Sequence, residues 1–353
     1  MSKLITTLPA LGWSHFFQQQ LSLDEWEMCL PARVISVHRH LADLLTVEGR
    51  VTLPLPGQWY LGAGEGLPTV GDWLLLDRSG CRVVRRLERH SLFRRHAAGS
   101  PSGIQLLAAN IDTLLIVTSC NQEFKLSRLE RYLALALEAR VEPVVVIGKS
   151  DLADSVNSFV EQARQLHPGL EVVALNALDA TSVAQLEPWC RCGQSVALVG
   201  SSGVGKSTLI RTLGGGLPET GEIRATDDRG RHTTTARTLY LLPAGGIVID
   251  TPGLRELALT ECQDGVASLF DEIEQLARSC RFSDCRHEQE EGCAVKAALA
   301  VGELDSRRFG NYQKLQAEQE RNRESLAQKR RRERNFSKLV RHEVKRRRKE
   351  RDS

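Results

Sequence analysis

The sequence predicts a multidomain protein in which an N-terminal β-barrel, a central α/β domain and a C-terminal helical module follow one another. Short strand-like segments with turn residues lie within residues 31–98, and apolar runs alternate with helical periodicities across residues 105–262. Residues 263–318 are helical and rich in cysteine, residues 1–30 are interpreted as an N-terminal extension, and residues 319–353 form a charged tail. A chain of 353 residues with 41% hydrophobic content can build more than one core.

The barrel is predicted from five short strands, at residues 32–37, 43–47, 51–54, 72–77 and 82–87. Their length and spacing are typical of a small all-β domain.

The central domain is predicted from strands that alternate with helices. The strands are expected at residues 113–118, 144–147, 171–175, 195–199 and 246–250, and the clearest helices at residues 126–139 and 156–166. This alternation indicates a mostly parallel sheet that is covered on both faces.

A phosphate-binding loop gives the strongest single signal. The loop runs from Val199, the last residue of a predicted strand, through Gly200, Ser201, Ser202, Gly203, Val204, Gly205, Lys206 and Ser207, and a helical segment follows. Strand, loop and helix in this order are the context of a P-loop. The glycines allow positive φ, so that successive backbone N–H groups and the helix N-terminus face the phosphates. Lys206 is expected to contact the β and γ phosphates, and Ser207 to coordinate Mg²⁺.

Two downstream segments complete the predicted phosphate and Mg²⁺ site. Asp250 ends a predicted strand 43 residues after Ser207 and opens Asp-Thr-Pro-Gly, in which Asp250 can hold the metal through water and the Gly253 N–H can contact the γ phosphate. Between them, Thr234 is the favoured third metal ligand, with Thr233 and Thr235 as alternatives. Three threonines in a row are also a common composition of exposed strands.

The base-reading segment is predicted after the strand at residues 144–147. Gly148, Lys149, Ser150 and Asp151 approximate the guanine motif Asn-Lys-x-Asp. The Asp151 carboxylate can accept hydrogen bonds from guanine N1–H and the 2-amino group, whereas adenine offers an acceptor at N1. Lys149 is expected to lie along the base plane. Asn176 and Ala177 follow the next strand and are expected to offer a backbone N–H to guanine O6.

Gly148 departs from the motif, because an asparagine usually stands there, ties this loop to the P-loop and contacts the base. Guanine selectivity is then expected to rest mainly on Asp151, with a lower affinity for the nucleotide.

The order of these motifs is itself informative. The base-reading segments precede the phosphate-binding segments, whereas ordinary GTPases run the other way. Because the termini of such domains often lie close together, a circularly permuted chain can preserve the sheet.

A metal site is predicted from Cys280, Cys285, His287 and Cys293, spaced C-x₄-C-x-H-x₅-C. Three thiolates and one imidazole suit a closed, tetrahedral, structural Zn²⁺ site. Buried structural cysteines are the alternative, but they do not usually cluster with a histidine in so polar a stretch. Cys190 and Cys192 have no matching partners nearby and are interpreted as incidental.

Basic residues concentrate in the tail. Residues 321–353 hold 15 Lys and Arg against 5 Asp and Glu, a net charge of +10 in a chain whose total is +3, so the remaining body carries −7. A basic tail on an acidic body favours contact with a polyanion, and a solvated end that binds nothing is the alternative. The barrel region is expected to add Arg85, Arg86, Arg89, Arg94 and Arg95 to this contact.

The sequence offers no sign of export or of a membrane partner. The first 20 residues lack a basic start and a continuous apolar stretch. No run approaches the roughly 18 apolar residues that a membrane span needs. Nine cysteines without an export signal indicate reduced thiols, so a cytoplasmic location is expected.

Together these motifs resemble the permuted GTPases of bacteria that depend on the small ribosomal subunit, a family called ribosome biogenesis GTPase A. The resemblance covers most of the chain and includes Val70-Gly71-Asp72-Trp73, Ala108-Ala109-Asn110-Ile111-Asp112, Arg128-Leu129-Glu130-Arg131-Tyr132 and Gly230-Arg231-His232-Thr233-Thr234-Thr235. It implies an N-terminal OB-fold, a permuted GTPase and a zinc domain. It also implies stimulation by the small (30S) subunit and its rRNA during late maturation, with GTP and GDP as ligands, and we expect a monomer.

His232 resembles the residue that this family is thought to use to orient the attacking water or to accept its proton. An exposed loop histidine without that role is the alternative. Leu254 stands where a glutamine commonly orients the water, so slow intrinsic turnover is expected.

A rival hypothesis is a non-enzymatic RNA-binding assembly factor with a degenerate nucleotide pocket, which Gly148 and Leu254 would suggest. Lys206, Ser207 and Asp250 argue against it, because the residues that hold phosphate and metal are intact.

Overall fold

The computed structural model describes residues 7–38, 40–60, 66–96, 104–215, 238–251 and 262–322. The chain divides into two compact units, Met1–Ala258 and Leu259–Ser353. Within the described ranges, no helix is both long enough and apolar enough to cross a membrane.

The first unit begins with two short helices and an antiparallel sheet. The helices are α1 (His15–Gln18) and α2 (Leu23–Met28), and the strands are β1 (Cys29–His38), β2 (Leu41–Thr46), β3 (Gly49–Pro54), β4 (Trp73–Asp77) and β5 (Val83–Arg86). Their order is β3-β2-β1-β4-β5, and every pairing is antiparallel. All five predicted strands are therefore found. No pairing joins β3 to β5 among the described residues, so this part of the sheet is open.

The helices of the N-terminal extension were not predicted, although the start of α2 follows a readable pattern. Ser22 Oγ accepts a hydrogen bond from Glu25 N at 3.1 Å, and the Glu25 carboxylate accepts one from Ser22 N at 3.0 Å. This capping box satisfies two backbone donors that the first turn leaves free. Phe17, which ends up 2% exposed, packs with buried Trp73 on the sheet.

A hairpin follows, made of β6 (Leu92–His96) and β7 (Ile104–Ala109). It was not predicted either, because the segment around it is basic and lacks a clear apolar alternation.

The second sheet of this unit is the predicted parallel one. Its strands are β8 (Thr113–Ser119), β9 (Glu142–Gly148), β10 (Glu171–Ala174), β11 (Ser195–Val199), β12 (Thr238–Leu241) and β13 (Ile247–Asp250). Their order is β10-β9-β8-β11-β13-β12, with only the edge strand β12 antiparallel to its neighbour. Every residue of β8 and β11 is buried, so both faces of these strands are covered. The prediction of a mostly parallel sheet is confirmed.

Helices connect these strands: α3 (Leu126–Glu138), α4 (Val156–Arg164), α5 (Ala180–Val183) and α6 (Lys206–Leu213). The apolar side of α3 supplies buried Leu129, Leu133 and Ala136 to the core.

The described part of the second unit is helical. It contains α7 (Gln263–Leu269), α8 (Asp271–Arg278), α9 (Ala294–Val301) and α10, which covers residues 306–322. Phe270 is fully buried, with Tyr312 against one side of its ring and the Arg308 guanidinium 4.8 Å from its centroid.

A buried arginine joins the two sheets of the first unit. Arg33 of β1 is 2% exposed and donates to the carbonyl oxygen of Leu11, to Asn110 O at 3.0 Å and to Ser195 Oγ at 2.8 Å. Ser195 opens β11, the strand that leads into the P-loop. Burial lowers the pKa of Arg33 to about 10, so its guanidinium stays charged at neutral pH.

We predict that Arg33→Met lowers the free energy of unfolding by about 3 kcal/mol, because it leaves three buried acceptors without a donor. The matched control is Arg50→Met, since the Arg50 side chain is 42% exposed and its ion pair with Asp43 contributes at most about 1 kcal/mol. Urea unfolding followed by tryptophan fluorescence measures both variants. Equal losses would show that the buried guanidinium has no special role.

Candidate functional site

The predicted nucleotide-binding segments converge at one edge of the parallel sheet. Residues 148–151 begin with the last residue of β9, residues 176–177 follow β10, the P-loop begins with the last residue of β11, and Asp250 ends β13. Because these strands are parallel, their carboxyl ends lie on the same side, where ligands of such sheets usually bind. Thr212 Oγ1 of α6 also donates to Ala177 O at 2.7 Å, which links the P-loop helix to the base-reading side.

The glycines of the P-loop have the positive φ angles that the sequence predicts. The φ angles of Gly200, Gly203 and Gly205 are 141°, 80° and 103°. A Cβ atom at Gly200 would overlap the carbonyl oxygen of Val117 in β8, so the loop can pack against this strand only with glycine there.

Lys206 is already oriented over the loop. Its side chain is buried, and Nζ donates to Gly200 O at 2.7 Å and to Ser201 O. It starts α6, so the ammonium group and the helix N-terminus face the same loop. The next residue, Ser207, is exposed. The arrangement offers a cation, backbone donors and an accessible hydroxyl to an anion with a bound metal.

The base-reading segments are held by short polar contacts. Lys149 has a left-handed backbone with φ 59°, and its Nζ donates to Gly203 O of the P-loop at 3.3 Å. Asn176 N donates to Ser182 Oγ at 3.0 Å, and Asn176 Oδ1 accepts from Leu178 N at 2.9 Å. Within the described part of the chain, the Ala177 N–H donates to no protein acceptor, as its expected contact with a base oxygen requires.

Gly148 is not a steric necessity. A Cβ atom there would lie 3.4 Å from Thr118 O and 3.5 Å from Val204 O, which are ordinary contact distances. The same geometry shows that a side chain at this position would point between β8 and the P-loop. The backbone therefore has room for a side chain at 148 that would contact the P-loop, and glycine does not supply one.

A group beside the P-loop was missed from the sequence. Arg128 in the first turn of α3 donates from Nη1 to Glu123 Oε2 at 2.7 Å and to Ser201 Oγ. The segment around Arg128 stands out in the sequence only through the family resemblance. No motif indicates that the Arg128 side chain contacts Ser201 of the P-loop, 73 residues away.

Several predicted site residues lie outside the described residues. They are His232, Thr233, Thr234, Thr235, Gly253 and Leu254, and most of the basic tail lies outside as well.

Two of the arginines expected to face a polyanion form ion pairs within the protein instead. Arg89 pairs with Asp72 at 2.7 Å, with side chains 8% and 0% exposed, and Arg85 pairs with Glu25 at 2.6 Å. The expectation is wrong for Arg89, because a buried and neutralised guanidinium cannot displace counterions from a polyanion. Arg85 is half-buried and is at least partly neutralised by Glu25.

In the second unit, the predicted metal ligands come together. One ligand atom each from Cys280, Cys285, His287 and Cys293 lies within 4.8 Å of the other three. His287 Nδ1 is 3.4 Å from Cys293 Sγ and 3.6 Å from Cys280 Sγ, and the two sulfurs are 3.9 Å apart. Cys293 also forms the N-cap of α9, where its sulfur accepts from Lys296 N at 3.4 Å. This donor set fits a tetrahedral divalent ion.

Comparison with models of protein families gives two matches. The RsgA GTPase family matches residues 86–260. The ABC transporter family also matches, over residues 183–339, a span that contains the P-loop. That loop is common to ATP- and GTP-binding proteins, so the second match reports the phosphate-binding motif.

Two related bacterial proteins match almost the whole chain. A Vibrio parahaemolyticus protein, "Small ribosomal subunit biogenesis GTPase RsgA 2", is 50% identical, covering 98% of this chain and 95% of the relative. A Mesorhizobium japonicum protein, "Small ribosomal subunit biogenesis GTPase RsgA", is 46% identical, covering 90% and 91%.

Solved structures share the fold. YjeQ from Thermotoga maritima is 26% identical, with a TM-score of 0.62 over 83% of this chain and 99% of its own. YloQ, described as a circularly permuted GTPase, is 22% identical, with a TM-score of 0.56 over 83% of this chain and 95% of its own.

We predict that Gly200→Ala lowers the free energy of unfolding by roughly 3 kcal/mol, because the new methyl group meets the Val117 carbonyl and the residue keeps a positive φ. Gly169→Ala is the matched control, since Gly169 has φ 71° but no neighbour within 4 Å of a Cβ atom. Strain alone should then cost about 1 kcal/mol. Thermal and urea unfolding compare the two variants. If Gly200→Ala lowered the free energy of unfolding less than Gly169→Ala does, the packing of Gly200 against Val117 would be contradicted.

Proposed function

The chain belongs to the RsgA GTPase family, and on this premise we propose that it hydrolyses GTP during late maturation of the small ribosomal subunit. The subunit stimulates the reaction, and the nucleotide controls binding to ribosomal RNA. The observation that carries this proposal is the convergence of two base-reading segments, a P-loop and Asp250 at one sheet edge, in a permuted chain order.

GTP lies along this edge in the proposal. The phosphates bind the P-loop, residues 199–207, while guanine is read by Asp151 and by the Ala177 N–H, with Gly148, Lys149, Ser150 and Asn176 around it. Mg²⁺ bound with the nucleotide would be held by Ser207, Asp250 and Thr234 and would neutralise charge between the β and γ phosphates.

Hydrolysis breaks the bond between the γ phosphorus and the oxygen that bridges it to the β phosphate. A water oxygen forms the new bond to phosphorus, and GDP leaves. Lys206 stabilises the charge that develops on the phosphate oxygens, and its contacts with Gly200 O and Ser201 O fix its direction before the nucleotide binds. The Gly253 N–H contacts the γ phosphate, and His232 orients the water or accepts its proton.

The domain division follows the same proposal. Residues 31–98 form an OB-fold, which the order of the five antiparallel strands supports. Residues 105–262 form the GTPase, residues 263–318 the zinc domain, and residues 319–353 a basic tail that contacts rRNA. The protein acts as a cytoplasmic monomer.

The proposed metal is one structural zinc ion. With Zn–S bonds of about 2.3 Å, two thiolates of a tetrahedral site lie about 3.8 Å apart. The Cys280 and Cys293 sulfurs lie 3.9 Å apart, close to this value. All four protein ligands are present, so no position is left open for a catalytic water.

The rival function is that of a non-enzymatic assembly factor. Gly148 favours it, since the base motif lacks its asparagine. The buried, oriented Lys206 favours the enzyme, because a degenerate pocket has no need to direct an ammonium group over the P-loop.

We predict phosphate release from GTP that small ribosomal subunits stimulate, and much slower release from ATP. The measurement compares both nucleotides with and without subunits, using the full chain. Lys206→Ala should remove the stimulated activity, because it removes the cation at the β and γ phosphates. If GTP is bound but not hydrolysed with subunits present, the rival function holds.

His232→Ala gives a second arm of this assay. We expect stimulated turnover to fall while binding of a GTP analogue is kept, because His232 acts on water and not on the nucleotide. Turnover equal to wild type would remove His232 from the mechanism.

We predict that elemental analysis finds one zinc ion per chain. The Cys285→Ser variant should lose the zinc, and its helical second unit should become less stable, because zinc binding contributes to folding. Cys192→Ser is the matched control, because Cys192 is an exposed free thiol of the first unit. It should keep both zinc and stability. Full zinc content in Cys285→Ser would contradict the four-ligand site.

A further inference from the structure

The loop between β8 and α3, residues 120–125, contacts the base-reading side of the site. Cys120 N donates to Gly148 O at 3.0 Å, so the loop is bonded directly to the end of β9. Asn121 Oδ1 accepts from Ser119 Oγ and from Glu123 N, both at 2.9 Å, and Thr118 Oγ1 donates to Glu123 O at 3.2 Å. These bonds fix the turn that carries the Glu123 side chain.

The other end of the same loop contacts the P-loop. Glu123 accepts from Arg128, and Arg128 also donates to Ser201 Oγ. The hydrogen bond from Arg128, followed by one from Ser201, lowers the pKa of the Glu123 carboxyl. The three side chains therefore form a closed polar cluster in which the carboxylate stays ionised and directs the guanidinium at the P-loop.

This cluster acts on a sensitive part of the P-loop. Ser201 offers its side chain to Arg128 and its carbonyl oxygen to Lys206. A shift of Ser201 would move both the loop and the ammonium group that faces the phosphates.

Gly148 explains why such a cluster is needed. The asparagine that usually stands there ties the base-reading loop to the P-loop, and a Cβ atom at 148 would indeed point toward Val204 O. Among the described residues, residues 148–151 contact the P-loop through the hydrogen bond from Lys149 Nζ to Gly203 O, which is exposed and 3.3 Å long. A long, solvent-exposed hydrogen bond contributes little to the free energy.

We propose that Arg128, held by Glu123, is a positioning residue that keeps the P-loop in register with the base-reading loop, in place of the tie that Gly148 cannot make. The path runs from Gly148 O through Cys120 and the loop to Glu123, Arg128 and Ser201. This inference rests on the proposed nucleotide site and adds to it the residues that set nucleotide affinity.

The test is a cycle of four full-length proteins: wild type, Arg128→Ala, Gly148→Asn and the double variant. The dissociation constant of a fluorescent GDP analogue with Mg²⁺ is measured for each. Arg128→Ala should raise it roughly fivefold in the wild-type background and less than about twofold in the Gly148→Asn background, because the restored amide makes the cluster redundant. Glu123→Ala should reproduce the effect of Arg128→Ala and add little to it.

Arg164→Ala is the matched control, since Arg164 is an exposed arginine of α4 and should leave the dissociation constant unchanged. The unfolding midpoint without nucleotide separates positioning from general stability, because a merely structural arginine would lower it equally in both backgrounds. An equal loss of affinity in the wild-type and Gly148→Asn backgrounds, or no loss in either, would overturn the inference. Failure of the wild type to bind GDP or GTP would instead refute the proposed function.

Discussion

The buried guanidinium of Arg33 is the interaction on which the first unit depends. A charge removed from water must keep its hydrogen bonds, and those of Arg33 go to three separate segments, at Leu11, Asn110 and Ser195. Asp112 Oδ2 contacts the first residue of the same strand by accepting a hydrogen bond from Ser195 N at 2.7 Å. The strand that carries the P-loop is therefore bonded to the antiparallel sheet through a buried side chain of β1.

The order of the parallel sheet shows why a permuted chain can build this site. Strand β11 lies between β8 and β13, so the proposed phosphate-binding loop has the proposed base-reading segments, after β9 and β10, on one side and Asp250 on the other. Strand position depends on pairing and on burial of both faces, and neither depends on which strand is synthesised first. Convergence at the carboxyl edge follows from the parallel direction of the strands.

Features set by neighbouring residues could be predicted from the sequence, and features set by distant side chains could not. The positive φ angles of Gly200, Gly203 and Gly205 follow from a local motif. The contacts of Arg33 with Ser195 and of Arg128 with Ser201 join residues 162 and 73 positions apart, and no local pattern announces them. Arg89 was misjudged for the same reason, because its partner Asp72 is buried by the fold. The short α1 and α2 are too brief for a periodic signal, so only the cap of α2 could have marked them.

The two halves of the proposed nucleotide site are held by different kinds of contact, and we expect them to differ in the substitutions that they accept. The phosphate side is fixed by the backbone, since Gly200 packs on the Val117 carbonyl and Lys206 is bonded to loop carbonyls. A larger residue at Gly200 would collide with main-chain atoms that cannot move aside. The base side is joined to the P-loop through side chains, among them Lys149 and the Glu123–Arg128 cluster. One side chain can replace another in that role, whereas a glycine that packs on a main-chain carbonyl has no larger substitute.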